Sequence, residues 1–135
     1  MEQLSIVLPQ RFNFTTEIHV LINDVNLANH VGNEAFVRYI NETNWRFLDA
    51  FDIPKMMLMA DLAIIFKSEA FYGDVLKCDV AVSISTKHSC HFYFRMRNSK
   101  TDKEIIRARA RVIFFDYTQK KPVEVPEQIR SLAES

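Results

Sequence analysis

Residues 23–36 read NDVNLANHVGNEAF, and they place Asn23, Asp24, Asn26, Asn29, His30 and Asn33 around Gly32, the only glycine before residue 73. A neutral imidazole such as that of His30 can exchange a proton near pH 7. The carboxylate of Asp24 can accept a proton or orient a partner, whereas the Asn amides can donate and accept hydrogen bonds but cannot serve as bases. An alternating apolar segment (Ile18, Val20, Ile22) leads into this stretch, and residues 33–50 lead out of it as a helix. The free N–H groups of a helix N-terminus carry partial positive charge and favour an anion. Two readings are open. The polar cluster caps the helix, or it holds a reacting group.

The elements that must position these residues are legible from periodicity. FNFTTEIHVLI (12–22) alternates as a strand, with Ile18, Val20 and Ile22 on one face and Glu17, His19 and Leu21 on the other. Residues 33–50 carry Phe36, Tyr39, Ile40, Thr43 and Phe47 on one helical face. Gly32 or Asn33 suits the N-cap, and Glu34 falls in the first turn, where the helix dipole favours an acid. Arg38, Glu42 and Arg46 fall at i, i+4 on the polar flank. Glu42 is a second candidate base, although its spacing favours an exposed ion pair. Trp45, Phe47 and Phe51 read as core. Strands follow at 59–68, 75–86, 89–97 and 105–117, and Pro126 opens a short C-terminal helix. One long helix with five strands joined mainly by short turns predicts an α+β fold with an antiparallel sheet. The apolar Phe92/Phe94 face is too large for one helix to cover, which predicts self-association.

The whole chain narrows the function classes. Its 135 residues suit a single domain spanning 1–135. Seventeen Lys and Arg balance seventeen Asp and Glu, so no global field points to nucleic acid or to an anionic membrane. No apolar run is long enough to span a bilayer, and no basic n-region opens the chain, so a cytoplasmic protein is expected. Cys78 and Cys90 lack CxxC spacing and read as reduced core thiols. His19, His88 and His91 have no Cys or acid at metal spacing, so neither a metal nor a cofactor is expected. Arg107, Arg109 and Arg111 put three cations on one strand face: a solvated face, or one that recognises phosphate or an acidic partner.

Asp24-Val25-Asn26-Leu27-Ala28-Asn29-His30-Val31-Gly32-Asn33, followed by Phe36 and the helix, resembles the D-x-D-x-x-x-H-V-N-N-x-x-Y signature of hotdog-fold thioesterases. The match is to the 4-hydroxybenzoyl-CoA thioesterase-like branch, which also includes acyl-carrier-protein thioesterases. Phe71-Tyr72-Gly73-Asp74-Val75-Leu76 is similar to that family's P-x-x-x-G-D-x-L turn, with Glu69-Ala70 where its proline often falls. Ser89 sits where a serine commonly opens the fourth strand, and Phe115-Asp116 with Lys121-Pro122 and Pro126 resembles the family's C-terminal ending. The resemblance implies the hotdog fold, a five-stranded antiparallel sheet wrapped around one long central helix. It also implies a homodimer or homotetramer with active sites at the subunit interface.

The implied activity is hydrolysis of an acyl-CoA or acyl-carrier-protein thioester, with coenzyme A present only as part of the substrate. The resemblance places the catalytic set on Asp24, Asn26, His30 and Asn33, with Gly32, Phe36 and Ser89 contacting substrate. His30 would activate water, Asn26 would orient that water or the carbonyl, and the Asn33 N–H would hold the oxyanion. Asp24 would fix the His30 tautomer. The departure is Asn26, which stands where the family's usual nucleophile or base is an acid. That substitution motivates an alternative, a hotdog protein that binds acyl-CoA without hydrolysing it. A hotdog dehydratase or isomerase is a third class.

Overall fold

The structure is a computed structural model that describes residues 3–134. Its elements run β1 (Phe14–His19), a 3₁₀ turn (Ile22–Asp24), α1 (Asn33–Ala50), β2 (Met57–Phe66), β3 (Val75–Ile84), β4 (Ser89–Asn98), β5 (Glu104–Asp116), β6 (Lys121–Pro122) and α2 (Glu127–Glu134). The sheet order is β1-β3-β4-β5-β2, with neighbouring strands antiparallel. The expected α+β architecture is therefore present. A sixth, two-residue strand, β6, pairs with the end of β5 through Phe115–Pro122 and Asp116–Lys121.

The sheet curves around α1. Phe47 of α1 meets Phe14 of edge strand β1 at a ring separation of 5.8 Å, and Phe36 meets Phe66 of the opposite edge strand β2 at 5.8 Å. This curvature corrects the sequence expectation for the Phe92/Phe94 face. Both rings are fully buried beneath α1, and neither needs a second chain to cover it. Size is matched across the strands: Phe92 pairs with Ala110 and Phe94 with Ala108, so each large ring faces a small neighbour.

The buried stripe of α1 is Ala35, Phe36, Tyr39, Ile40, Thr43, Phe47 and Leu48. The helix ends where Asp52 adopts φ +50, the Ile53 N–H reaches back to the Leu48 carbonyl at 2.9 Å, and the Asp52 N–H reaches the Asp49 carbonyl at 3.3 Å. This is a Schellman closure whose accompanying apolar contact is the buried Leu48/Ile53 pair. Trp45 does not join the core as the sequence suggested. It is 57% exposed, with the Lys55 ammonium 4.5 Å above its ring.

β1 is shorter than its alternation suggested, because the chain leaves the sheet after Val20. Ile18 and Val20 are buried, but Ile22 enters the 3₁₀ turn and is 64% exposed. Cys78 and Cys90 are buried, unpaired thiols, and burial pushes both up to about 12.

The outer face of the sheet is polar and largely self-paired. Asp79, only 2% exposed, accepts hydrogen bonds from Arg95, Arg97 and Thr15. Arg107 holds Glu104 and the Ile6 carbonyl, and Arg111 holds Asp61. Arg109 of the same stripe acts on the Asp61 carboxylate through its charge, without a direct ion pair among the described residues. Burial alone would raise the Asp79 carboxyl, but donation from Arg97, Thr15 and Arg95 outweighs it and holds the group below the usual carboxylate range.

A lowered folded value means that Asp79 contributes stability above its unfolded value of about 4 and loses it as pH falls through the folded one. Asp79→Ala is expected to cost about 3–5 kcal/mol at pH 7, because two arginines lose a buried partner. The expected loss shrinks steadily below pH 4. Urea unfolding midpoints of the two proteins between pH 7 and pH 3 check both the size and the sign.

Candidate active site

The stretch from Asp24 to Asn33 is a compact loop tied by its own polar side chains. Asn26 Oδ1 accepts from the Ala28 N–H at 3.0 Å and the His30 N–H at 3.2 Å, while the Asn26 N–H donates to the His30 carbonyl. Asn29 tolerates φ +66, as Asn does, and its side-chain oxygen accepts the Tyr72 N–H at 3.2 Å. Asp24 accepts from the Leu21 N–H, the Arg38 guanidinium and the Tyr39 hydroxyl. These are the backbone-satisfying roles that Asn and Asp play in turns.

This network corrects one assigned role. Asp24 does not reach His30; it anchors the loop to the flank of α1, and Arg38 pairs with it rather than with Glu42. Burial and the Asp24 carboxylate together push the Tyr39 phenol above its ordinary range. Glu42 pairs with Arg46 at 2.8 Å and lines a separate groove between β1 and α1.

The partner His30 does have is Glu69, which the resemblance marked only as a departure from the family's proline. His30 Nδ1 lies 2.9 Å from Glu69 Oε2, close enough to pair when the imidazole carries a second proton, although the alignment is not that of a hydrogen bond. Two backbone links bring the segments together: an antiparallel bridge between His30 and Phe71, and donation from the Val31 N–H to the Ala70 carbonyl at 2.9 Å. The Phe71 ring packs on the imidazole with centroids 5.3 Å apart. Gly73, at φ +89, lets the following turn close so that Asp74 accepts the Phe71 N–H.

A cleft of about 580 Å³ opens beside this pair. Asn26, His30, Gly32, Asn33 and Phe36 line it from the loop and α1, as the sequence placed them, and Glu34, Phe66, Ser68 and Glu69 complete it. Gly32 is the N-cap of α1, so the free N–H groups of the first helical turn face this region. Ser89 is not brought there. It opens β4 at the end of β3 opposite Val75, about 30 Å along the strand at the usual rise, and its hydroxyl bonds Thr86.

The arrangement combines a proton-exchanging imidazole with an adjacent carboxylate, a helix N-terminus and an aromatic wall. Among the described residues, no three His, Cys, Asp or Glu side chains gather as a metal would require. No helix there is long and apolar enough to cross a membrane.

A family model described as the thioesterase-like superfamily matches residues 20–132. The chain belongs to that superfamily. No curated protein matches it in sequence. Among solved structures it is similar to a 1,4-dihydroxy-2-naphthoyl-CoA thioesterase from Synechocystis, with a TM-score of 0.81 at 16% identity over 90% of this chain and 96% of that one. A thioesterase superfamily protein from Jannaschia gives a TM-score of 0.83 at 16% identity over 94% and 84%. A Thermus thermophilus thioesterase solved with coenzyme A and Zn gives 0.79 at 15% identity over 93% and 100%. The superfamily protein thus has the hotdog arrangement expected from its sequence.

The loop network separates two substitutions. Asp24→Ala removes an acceptor shared by three donors and is expected to cost about 2–3 kcal/mol at roughly 1 kcal/mol per bond. Asn26→Asp keeps the side-chain oxygen that caps the loop and is expected to leave stability within about 0.5 kcal/mol. Denaturant midpoints of the two variants test this division.

Proposed function

We propose that this chain is a thioester hydrolase that cleaves acyl-CoA to free acid and thiol. The observation that carries this reading is the His30–Glu69 contact of 2.9 Å at a cleft bounded by the N-terminus of α1. A neutral imidazole with its lone pair on Nε2 takes a proton from water, and the Glu69 carboxylate, 2.9 Å from Nδ1, stands where it stabilises the imidazolium that forms. The Asn33 N–H lies at the positive end of the helix and receives the carbonyl oxygen as charge develops on it. Asn26 Oδ1 is occupied by loop N–H groups, so only its amide N–H₂ is free to donate to the substrate carbonyl. Coenzyme A is favoured over a carrier protein as the thiol carrier, in keeping with the substrate named for the Synechocystis enzyme and the ligand named for the Thermus one.

The reading includes a homo-oligomer. β2 is a sheet edge on which Leu58 and Phe66 are 42% and 48% exposed, and Phe66 also lines the cleft. An exposed apolar edge that borders the site is where a second copy would bury surface and close the cleft. Sedimentation equilibrium is expected to show a dimer or tetramer.

The direct test is thiol release from a panel of acyl-CoA esters, short, long and aromatic. The wild type is expected to turn over at least one of them, and His30→Ala to lower kcat by about 10²–10⁴-fold. Saturable binding of every ester with no thiol release would replace this reading with that of a non-hydrolytic acyl-CoA-binding protein.

A further inference from the structure

The cleft lacks the acid that Asn26 displaces, yet thioester cleavage through an imidazole alone leaves its other carboxylates without a role. Two acids line the cleft, Glu34 and Glu69. Glu69 is engaged with His30. Glu34 is the second residue of α1, and among the described residues no donor or cation holds its carboxylate. Its side chain folds back over the N-cap. A Cβ at Gly32 would lie 2.6 and 2.7 Å from the two Glu34 carboxylate oxygens, so that carboxylate rests against the Gly32 backbone, beside the Asn33 N–H.

We propose that Glu34 is the nucleophile of this cleft, a proposal that rests on the hydrolase reading above. A thioester whose carbonyl oxygen accepts the Asn33 N–H presents its carbonyl carbon next to the Gly32 backbone, where the Glu34 oxygens lie. A Glu34 oxygen attacks that carbon, and the C–O bond forms as the carbonyl becomes an oxyanion. The oxyanion collapses, the C–S bond breaks, and the thiolate leaves an acyl–Glu34 mixed anhydride. His30 then takes a proton from water as the water oxygen attacks the acyl carbon. The anhydride C–O bond breaks, the acid departs, Glu34 returns as a carboxylate, and the imidazolium proton goes to the thiolate. The balance is thioester plus water to acid plus thiol, with no further reactant. The pair Gly32/Glu34 therefore does in the first helical turn what a carboxylate at position 26 would do from the loop.

Glu34 is exposed on the first turn of α1, so Glu34→Gln removes the nucleophile without disturbing the core. Gly32 has φ −73, which alanine adopts freely, so Gly32→Ala folds while its methyl displaces the carboxylate. The experiment measures thiol release by the wild type and these variants on an ester the wild type hydrolyses. It is paired with turnover in hydroxylamine followed by peptide mass analysis. Glu34→Gln is expected to lower kcat by about a thousandfold or more, and Gly32→Ala by at least about tenfold, while affinity for a non-hydrolysable acyl-CoA thioether stays within about threefold. Hydroxylamine is expected to leave a hydroxamate on the peptide carrying Glu34. His30→Ala is expected to release about one thiol per site in a burst and then stall with Glu34 acylated. Turnover by Glu34→Gln within about threefold of wild type overturns the assignment and leaves the hydrolase reading standing. Loss of turnover with no acyl or hydroxamate mark on Glu34 also overturns it. A wild type that releases no thiol from any ester removes the hydrolase reading, and this mechanism with it.

Discussion

The docking of α1 into the curved sheet is the constraint from which the site follows. Phe47 sits at the centre of that contact, fully buried against Phe14, Phe51 and Phe92. Burying a phenylalanine contributes about 1.5–3 kcal/mol through the hydrophobic effect, and this helix buries two of them with five further residues. Once the apolar stripe is seated, the helix axis is fixed. The Leu48–Ile53 closure stops it at one end, and its N-terminus emerges at the other beside the turn that precedes β3. The cleft is therefore set by core packing, and loop chemistry only refines it.

That refinement divides the polar residues into two groups. Asp24, Asn26 and Asn29 direct their oxygens at N–H, guanidinium or hydroxyl donors nearby, and this fixes a ten-residue loop whose apolar burial rests on Val31 and part of Val25; Leu27 is fully exposed at its tip. A loop so built holds His30 by its backbone from both sides, through Asn26 and through Phe71. His30, Glu34 and Glu69 are the titratable groups that the loop network leaves unspent, and they face one cleft. The question posed by the crowded sequence thus has a double answer. Most of the crowding is capping, and it is the capping that presents the histidine.

Much of the fold was legible because strand and helix periods are properties of consecutive residues. The alternation of Cys90, Phe92, Phe94 and Met96 marks one buried face, and the spacing from Phe36 to Phe47 marks one buried helical stripe. What failed were cases in which a distant partner decides the outcome. Ile22 continues the alternation of β1, but Asp24 folds back on the Leu21 N–H and turns the chain out of the sheet. Trp45 belongs by type to a core, yet its position lies off the stripe and Lys55 covers it instead. The family pattern pairs Asp24 with His30, while Arg38 and Tyr39, fourteen and fifteen positions further on in α1, take the carboxylate instead. Glu69 could not be found by any local rule, since 39 positions of chain separate it from His30. Its only signal was an acid where a turn proline was expected.

The comparisons separate what specifies this architecture from what specifies its chemistry. Chains about 15% identical to this one superpose with TM-scores near 0.8, so the fold is set by pattern: a long amphipathic helix, four long alternating strands and the turn glycine that joins two of them. A pattern constrains classes of residue rather than individuals. The loop before the helix obeys a different requirement, because a turn oxygen at position 26 can come from an amide as well as from a carboxylate. The exchange conserves the cap and abolishes the base. Structural equivalence at that position therefore carries no chemical equivalence, and the reacting groups of this protein have to be sought among the side chains that its own backbone brings to the cleft.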